Sequence, residues 1–87
     1  MYYIGHLIDL KEYGEGVIYY KNNEIYYEGE FVNGKKEGKG KIYKEDKSLE
    51  YEREFKNGKK SGKGEIYSEL FSYSGDFIDG LPMEKAL

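Results

Sequence analysis

The chain repeats itself about every 24 residues, and that recurrence limits its fold more than any other property. Tyr3-Ile-Gly5-His-Leu7 returns as Tyr27-Glu-Gly29-Glu-Phe31, as Tyr51-Glu-Arg53-Glu-Phe55 and as Tyr73-Ser-Gly75-Asp-Phe77. Behind each of the first three lies a Gly-x-Gly, at Gly14/Gly16, Gly38/Gly40 and Gly62/Gly64, and between the blocks stands Gly34, Gly58 or Gly80. These columns hold all 12 glycines of the 87-residue chain. Ile18, Ile42 and Ile66 form a further column, as do Tyr19, Tyr43 and Tyr67.

Within each unit the period is two, the spacing of a strand. Tyr27, Gly29 and Phe31 share one face, and Glu28 and Glu30 the other. Asn33-Gly34, Asn57-Gly58 and Asp79-Gly80 follow, and such dipeptides supply the positive φ angles of a two-residue type I′ hairpin turn. A turn at Asn33-Gly34 sets Tyr27 opposite Gly40 and Gly29 opposite Gly38. The same register puts Tyr51 opposite Gly64 and Tyr3 opposite Gly16. A strand glycine facing a ring has a packing reason to be there. On the other face this register pairs Glu28 with Lys39 and Glu52 with Lys63, each pair contributing ~0.2–1 kcal/mol. The expected fold is all-β: a single-layer antiparallel meander of tandem hairpins, elongated and twisted. It forms one domain over 1–87 with units at about 3–24, 25–48, 49–70 and 71–87. At most a turn of helix is expected, in the last residues.

Tyr27-Glu-Gly-Glu-Phe-Val-Asn-Gly-Lys-Lys-Glu-Gly-Lys-Gly40 resembles the MORN repeat (membrane occupation and recognition nexus). The shared pattern is Tyr-x-Gly-x-aromatic, a turn glycine, then Gly-x-Gly, and the resemblance runs from residue 3 to about 80. Departures are local. Leu10 stands for the first unit's turn glycine, Arg53 for the third unit's first glycine, and Leu7 for an aromatic. The fourth unit has Glu84 and Ala86 in place of Gly-x-Gly, with Pro82 in the return strand, and reads as a degenerate cap or, alternatively, as an array cut short. The resemblance implies an assembly platform that often self-associates. Plant phosphatidylinositol-phosphate kinases carry MORN arrays beside a catalytic domain, but these 87 residues contain no kinase domain.

Composition removes other classes. Fourteen Lys and Arg against seventeen Asp and Glu give a net charge of -3, which disfavours a globally basic nucleic-acid binder. The chain has no Cys, hence no disulfide framework and no Cys-based zinc site, and this fits the cytoplasm. No apolar run approaches the ~20 residues of a membrane-spanning helix, and the start lacks the basic region of a secretory signal. The chain is read as no enzyme. It has one histidine, His6, at a solvent-facing repeat position, no phosphate loop and no nucleophile motif. The alternating Glu28, Glu30, Glu52 and Glu54 face lysines, as on a solvated sheet. No cofactor or metal is implied.

Two functions remain. Tyr3, Tyr27, Phe31, Tyr51, Phe55, Tyr73 and Phe77 could form only a core. A one-layer ribbon some 35 Å wide, with strands at about 4.8 Å, still needs cover for that face. Leu81, Met83 and Leu87 are the apolar residues of the tail. Either the sheet curls or another molecule covers it, so the first reading is a scaffold whose aromatic face takes a protein partner or a second copy, as in a homodimer. The alternative is a peripheral phospholipid binder. Lys35, Lys36, Lys39, Lys59, Lys60 and Lys63 recur at the hairpin turns and would line one edge of the sheet as candidate anionic-lipid contacts, at about 1 kcal/mol each near a surface. That reading would place the chain at the membrane periphery. Turn lysines also serve solubility and edge protection.

Overall fold

The computed structural model describes residues 1–68 and 72–82. Eight strands follow one another in a single antiparallel sheet, with spatial order equal to chain order. They are β1 (Tyr2–Ile8), β2 (Lys11–Tyr19), β3 (Ile25–Val32), β4 (Lys35–Tyr43), β5 (Leu49–Lys56), β6 (Lys59–Tyr67), β7 (Ser72–Ile78) and β8 (Leu81–Pro82). The Cα positions span 43 × 26 × 13 Å, a depth beyond the pleat of one flat layer, as the twist of an eight-strand sheet requires. The all-β meander expected from the sequence is what forms. The expected helical turn in the last residues, and the cap positions Glu84 and Ala86, lie outside the described residues, as do Met83 and Leu87.

Each tight turn has positive φ at both central residues, as at Asn33 (55°) and Gly34 (84°). The first turn uses Asp9 and Leu10, and Leu10 is forced to φ 66°. The tips are tied to one another: the amides of Gly34, Gly58 and Gly80 donate to the carbonyls of Glu12, Lys36 and Lys60 of the preceding hairpin at 2.9–3.0 Å. Each hairpin thus holds the next at its tip as well as along its strands.

The register departs from the sequence reading by two residues. Near the turn Phe31 pairs with Lys36 as expected, but beyond it Gly29 pairs with Gly40 and Tyr27 with Ile42. A bulge causes the shift: one residue, Glu30, spans the stretch that Glu37, Gly38 and Lys39 span on β4. Gly38 takes φ 74° there, a conformation that favours glycine. The same shift puts Tyr51 opposite Ile66 and Tyr3 opposite Ile18, rather than the glycines expected. It also reassigns the charges. Glu28 faces Lys41 instead of Lys39, and Glu52 faces Glu65 instead of Lys63. Lys39 pairs with Glu54 and Lys63 with Asp76, the next hairpin in each case.

The outcome is a set of rows crossing the whole sheet. One row reads Tyr3, Ile18, Tyr27, Ile42, Tyr51, Ile66, Tyr73. Beside it runs Gly5, Gly16, Gly29, Gly40, Arg53, Gly64, Gly75. The tyrosine rings lie down over the glycine row instead of standing off the sheet. A Cβ at Gly40 would come within 2.5 Å of Tyr27 Cε1, and one at Gly64 within 2.5 Å of Tyr51 Cε1. So each Tyr does occupy the space over the expected glycine, although its Cα partner is the isoleucine two residues on.

Two outcomes are expected in urea titrations. Gly40→Val or Gly64→Val drives a side chain into a buried ring and costs ~1–3 kcal/mol or more. Changes at Lys39, or at Lys63 in its exposed 2.9 Å pair with Asp76, stay within about 1 kcal/mol. Equal midpoints would mean the rings do not rest on the glycines. Conversely, Arg53→Gly is expected to stabilise. Arg53 holds φ 116° in a row otherwise made of glycine. Relief of that backbone outweighs its exposed 3.8 Å pair with Glu65, for a net gain of about 1 kcal/mol. A lower midpoint for Arg53→Gly would contradict this.

Candidate interaction surfaces

The aromatic residues expected to form a partner-binding face are stacked against one another. Tyr3, Phe31, Tyr27, Phe55, Tyr51, Phe77 and Tyr73 form one ladder, each ring meeting the next edge to face. Centroids lie 5.1–5.3 Å apart and planes cross at 79–87°. Each contact adds ~0.5–1.5 kcal/mol beyond its buried area. Tyr27 and Tyr51 are 0% exposed, and Phe31, Phe55 and Phe77 are buried as well. The ladder is therefore core in the single chain, and the large open apolar patch argued from the one-layer sheet is not present on this face. Only the two end rungs, Tyr3 and Tyr73, are half-exposed.

Sequence reasoning missed how the hydroxyls are used. Tyr3, Tyr27, Tyr51 and Tyr73 each donate to the backbone carbonyl three residues on: His6, Glu30, Glu54 and Asp76, at 2.7–2.9 Å. A signal was available, because all four units carry Tyr here while the position four residues on accepts Leu or Phe. A ring needed only for packing would not have to be tyrosine every time. Burial pushes the Tyr27 hydroxyl well up and raises Tyr51 from 10.0 to about 12, with nearby Glu30 and Glu54 adding to the effect.

The opposite face carries a second, polar column. Tyr43 donates to Glu28 at 3.3 Å and Tyr67 to Glu52 at 3.0 Å, one repeat apart. The hydrogen bond to Glu52 holds the Tyr67 hydroxyl up at about 12. In the first unit Ile4 stands in place of Glu, and Tyr19 stacks on Tyr2 instead at 4.9 Å. Between this column and the bulges lies an open groove of about 640 Å³. Its floor is the glycine row, and its walls mix Glu15, Glu28 and Glu52 with Lys39, Lys41 and Arg53. No one charge dominates it.

The six candidate lysines do not share a surface. Lys36 pairs with Phe31 and Lys60 with Phe55, which puts both on the aromatic face. There Lys36 Nζ lies over Tyr26 and Tyr27 and Lys60 Nζ over Tyr51, at 5.2–5.5 Å. Lys39 and Lys63 pair with carboxylate residues on the other face, and Lys35 and Lys59 begin their strands beside the turns. His6 is an exposed β1 residue whose carbonyl accepts from Tyr3.

The exposed apolar residues collect instead along β1. Tyr2, Ile4, Leu7 and Ile8 are exposed there, with Leu10 and Tyr13 just beyond.

Residues 27–48 and 51–68, the second and third hairpins, match the MORN repeat family model. These hairpins are MORN repeats. No curated protein matches the chain. The first and fourth hairpins continue the same structural rows with substitutions, so that Leu7 contributes no ring and Leu10 strains its turn. MORN repeats as a class are modules of protein or lipid interaction.

Ionising a buried MORN tyrosine must destabilise the fold. Its folded pKa is raised, so its contribution is complete below the unfolded value of 10.0 and is lost as pH rises through about 12. The melting temperature is expected to hold to near pH 10 and fall between 10 and 12. Tyr51→Phe, though less stable at neutral pH, should show a shallower fall. An equally steep fall in that variant would mean Tyr51 does not carry the effect.

Proposed function

We propose that this chain is a non-catalytic interaction module of MORN repeats, which binds a protein partner or itself through its N-terminal edge rather than through the rings. The carrying observation is the uncharged exposed strand β1, in which Ile4, Leu7 and Ile8 are 53–58% exposed. The aromatic ladder then serves as the rigid spine that presents this edge. The phospholipid reading has less support, because the lysines it needs are divided between two faces and several are engaged with rings or carboxylates.

The test compares solution mass, proteins retained from native extract, and vesicles containing phosphoinositide. The expected result is self-association or specific protein retention, weakened by Leu7→Lys. Retention on the vesicles at low salt, released at high salt and unaccompanied by either protein result, would replace this reading with the lipid one. A monomer that retains nothing would remove both.

A further inference from the structure

The two ends of the sheet are guarded very differently. Within the described residues β8 spans Leu81–Pro82, and Pro82 has no N–H to offer an incoming strand. Strand β1 is seven residues, Tyr-Tyr-Ile-Gly-His-Leu-Ile, with no proline and no Asp, Glu, Lys or Arg. Every other described strand of seven residues or more carries at least one charge. Among the described residues nothing lies beyond β1, so its outward N–H and C=O groups form an open ladder. Edges of this length and composition pair with another strand unless something blocks them.

From this edge we infer that β1 pairs antiparallel with β1 of a second copy, about a two-fold axis at Gly5. The inference rests on the interaction reading above and names the partner.

Three features favour a second copy as the occupant. A two-fold pairing sets each residue against a residue of the same strand, and an uncharged strand meets no like charge there. Gly5 is the middle residue of Tyr2–Ile8, so a two-fold at Gly5 is the register that pairs all seven. In that register Tyr3 faces Leu7 of the second copy and Ile4 faces His6. Leu7 and Ile4, more than half exposed in the single chain, each gain an apolar or ring neighbour. The glycine row also continues across the joint, Gly5 beside Gly5, as Gly16 lies beside Gly29 between hairpins inside the sheet. One strand pair buries little, at the low end of interface sizes below about 1,200 Å², so the assembly exchanges with concentration.

Sedimentation velocity across a wide concentration range tests the pairing. The wild-type mass should climb from 10.2 kDa toward twice that value. Ile4→Lys/Leu7→Lys should stay monomeric with unchanged circular dichroism and melting temperature at low concentration. Ile78→Lys/Leu81→Lys, at the other end, should still dimerise. The register has its own readout, since the chain has no cysteine. Ile4→Cys mixed with His6→Cys should crosslink faster than either alone. A wild type that stays monomeric throughout, or dimers broken at Ile78 and Leu81 instead, would overturn self-pairing. If the monomer instead retains another protein and Ile4→Lys/Leu7→Lys loses it, self-pairing fails while the interaction reading stands.

Discussion

A tyrosine laid flat over a glycine, with its hydroxyl bonded to the carbonyl three residues on, is the contact that the remaining structure depends on. The ring can lie down only because neither Gly29 nor Gly40 has a side chain beneath Tyr27. Lying down brings the hydroxyl to the Glu30 carbonyl, which the bulge takes out of the regular ladder. The ring then presents its flanks to Phe31 and Phe55, which stand at right angles to it. A single sheet thus builds a core without a second layer. The glycines supply the depth that a facing sheet or helix supplies elsewhere.

This arrangement is one-dimensional. Phe55 touches its own Tyr51 and the preceding unit's Tyr27, and the pattern repeats at Phe31 and Phe77. Turn amides reach back to the preceding hairpin in the same sense. Stability in such arrays accumulates from nearest-neighbour terms, and the ends have fewer. Burial follows that rule: Tyr27 and Tyr51 are fully covered, while Tyr3 and Tyr73 are not.

Much of this was legible in the residues, for reasons that can be stated. Alternation and Asn-Gly or Asp-Gly dipeptides specify hairpins by local stereochemistry, and the eight-strand meander followed. The match of tyrosines to glycines was readable because only glycine leaves room for a ring. The bulge was not. Gly38 turns to φ 74° beside the Tyr27 hydroxyl's bond to the carbonyl of Glu30, a contact between positions that a strand pattern treats as alternating. Missing it moved the predicted register by two residues and with it the partners of Lys39 and Lys63. The open apolar face was expected on other grounds, a single layer with little chain left to cover it, and the structure closes that face with the rings themselves. Which face each lysine of the turn edge takes was not legible for a related reason. Proximity to a turn says nothing about face, and pairing with Phe31 and Phe55 takes Lys36 and Lys60 to the side opposite Lys39 and Lys63.

Closing the face changes where interaction can occur. A sheet that curls onto its own rings still has edges, because a meander that never returns to its first strand cannot close. The cost of the repeat architecture is therefore concentrated at its two ends, and each end has departed from the repeat in its own way. The last unit has Glu84 and Ala86 in place of Gly-x-Gly and Pro82 in the return strand. The first unit departs differently: Leu7 for the aromatic, Ile4 where the second and third units have glutamate, and Leu10 for the turn glycine. All three put aliphatic surface where the interior units have a ring, a charge or no side chain. Two of them weaken the hairpin itself, through a missing ladder contact and a strained turn. Under the edge pairing proposed above, the first unit is a strand whose outward hydrogen bonds and apolar side chains are completed by a second copy.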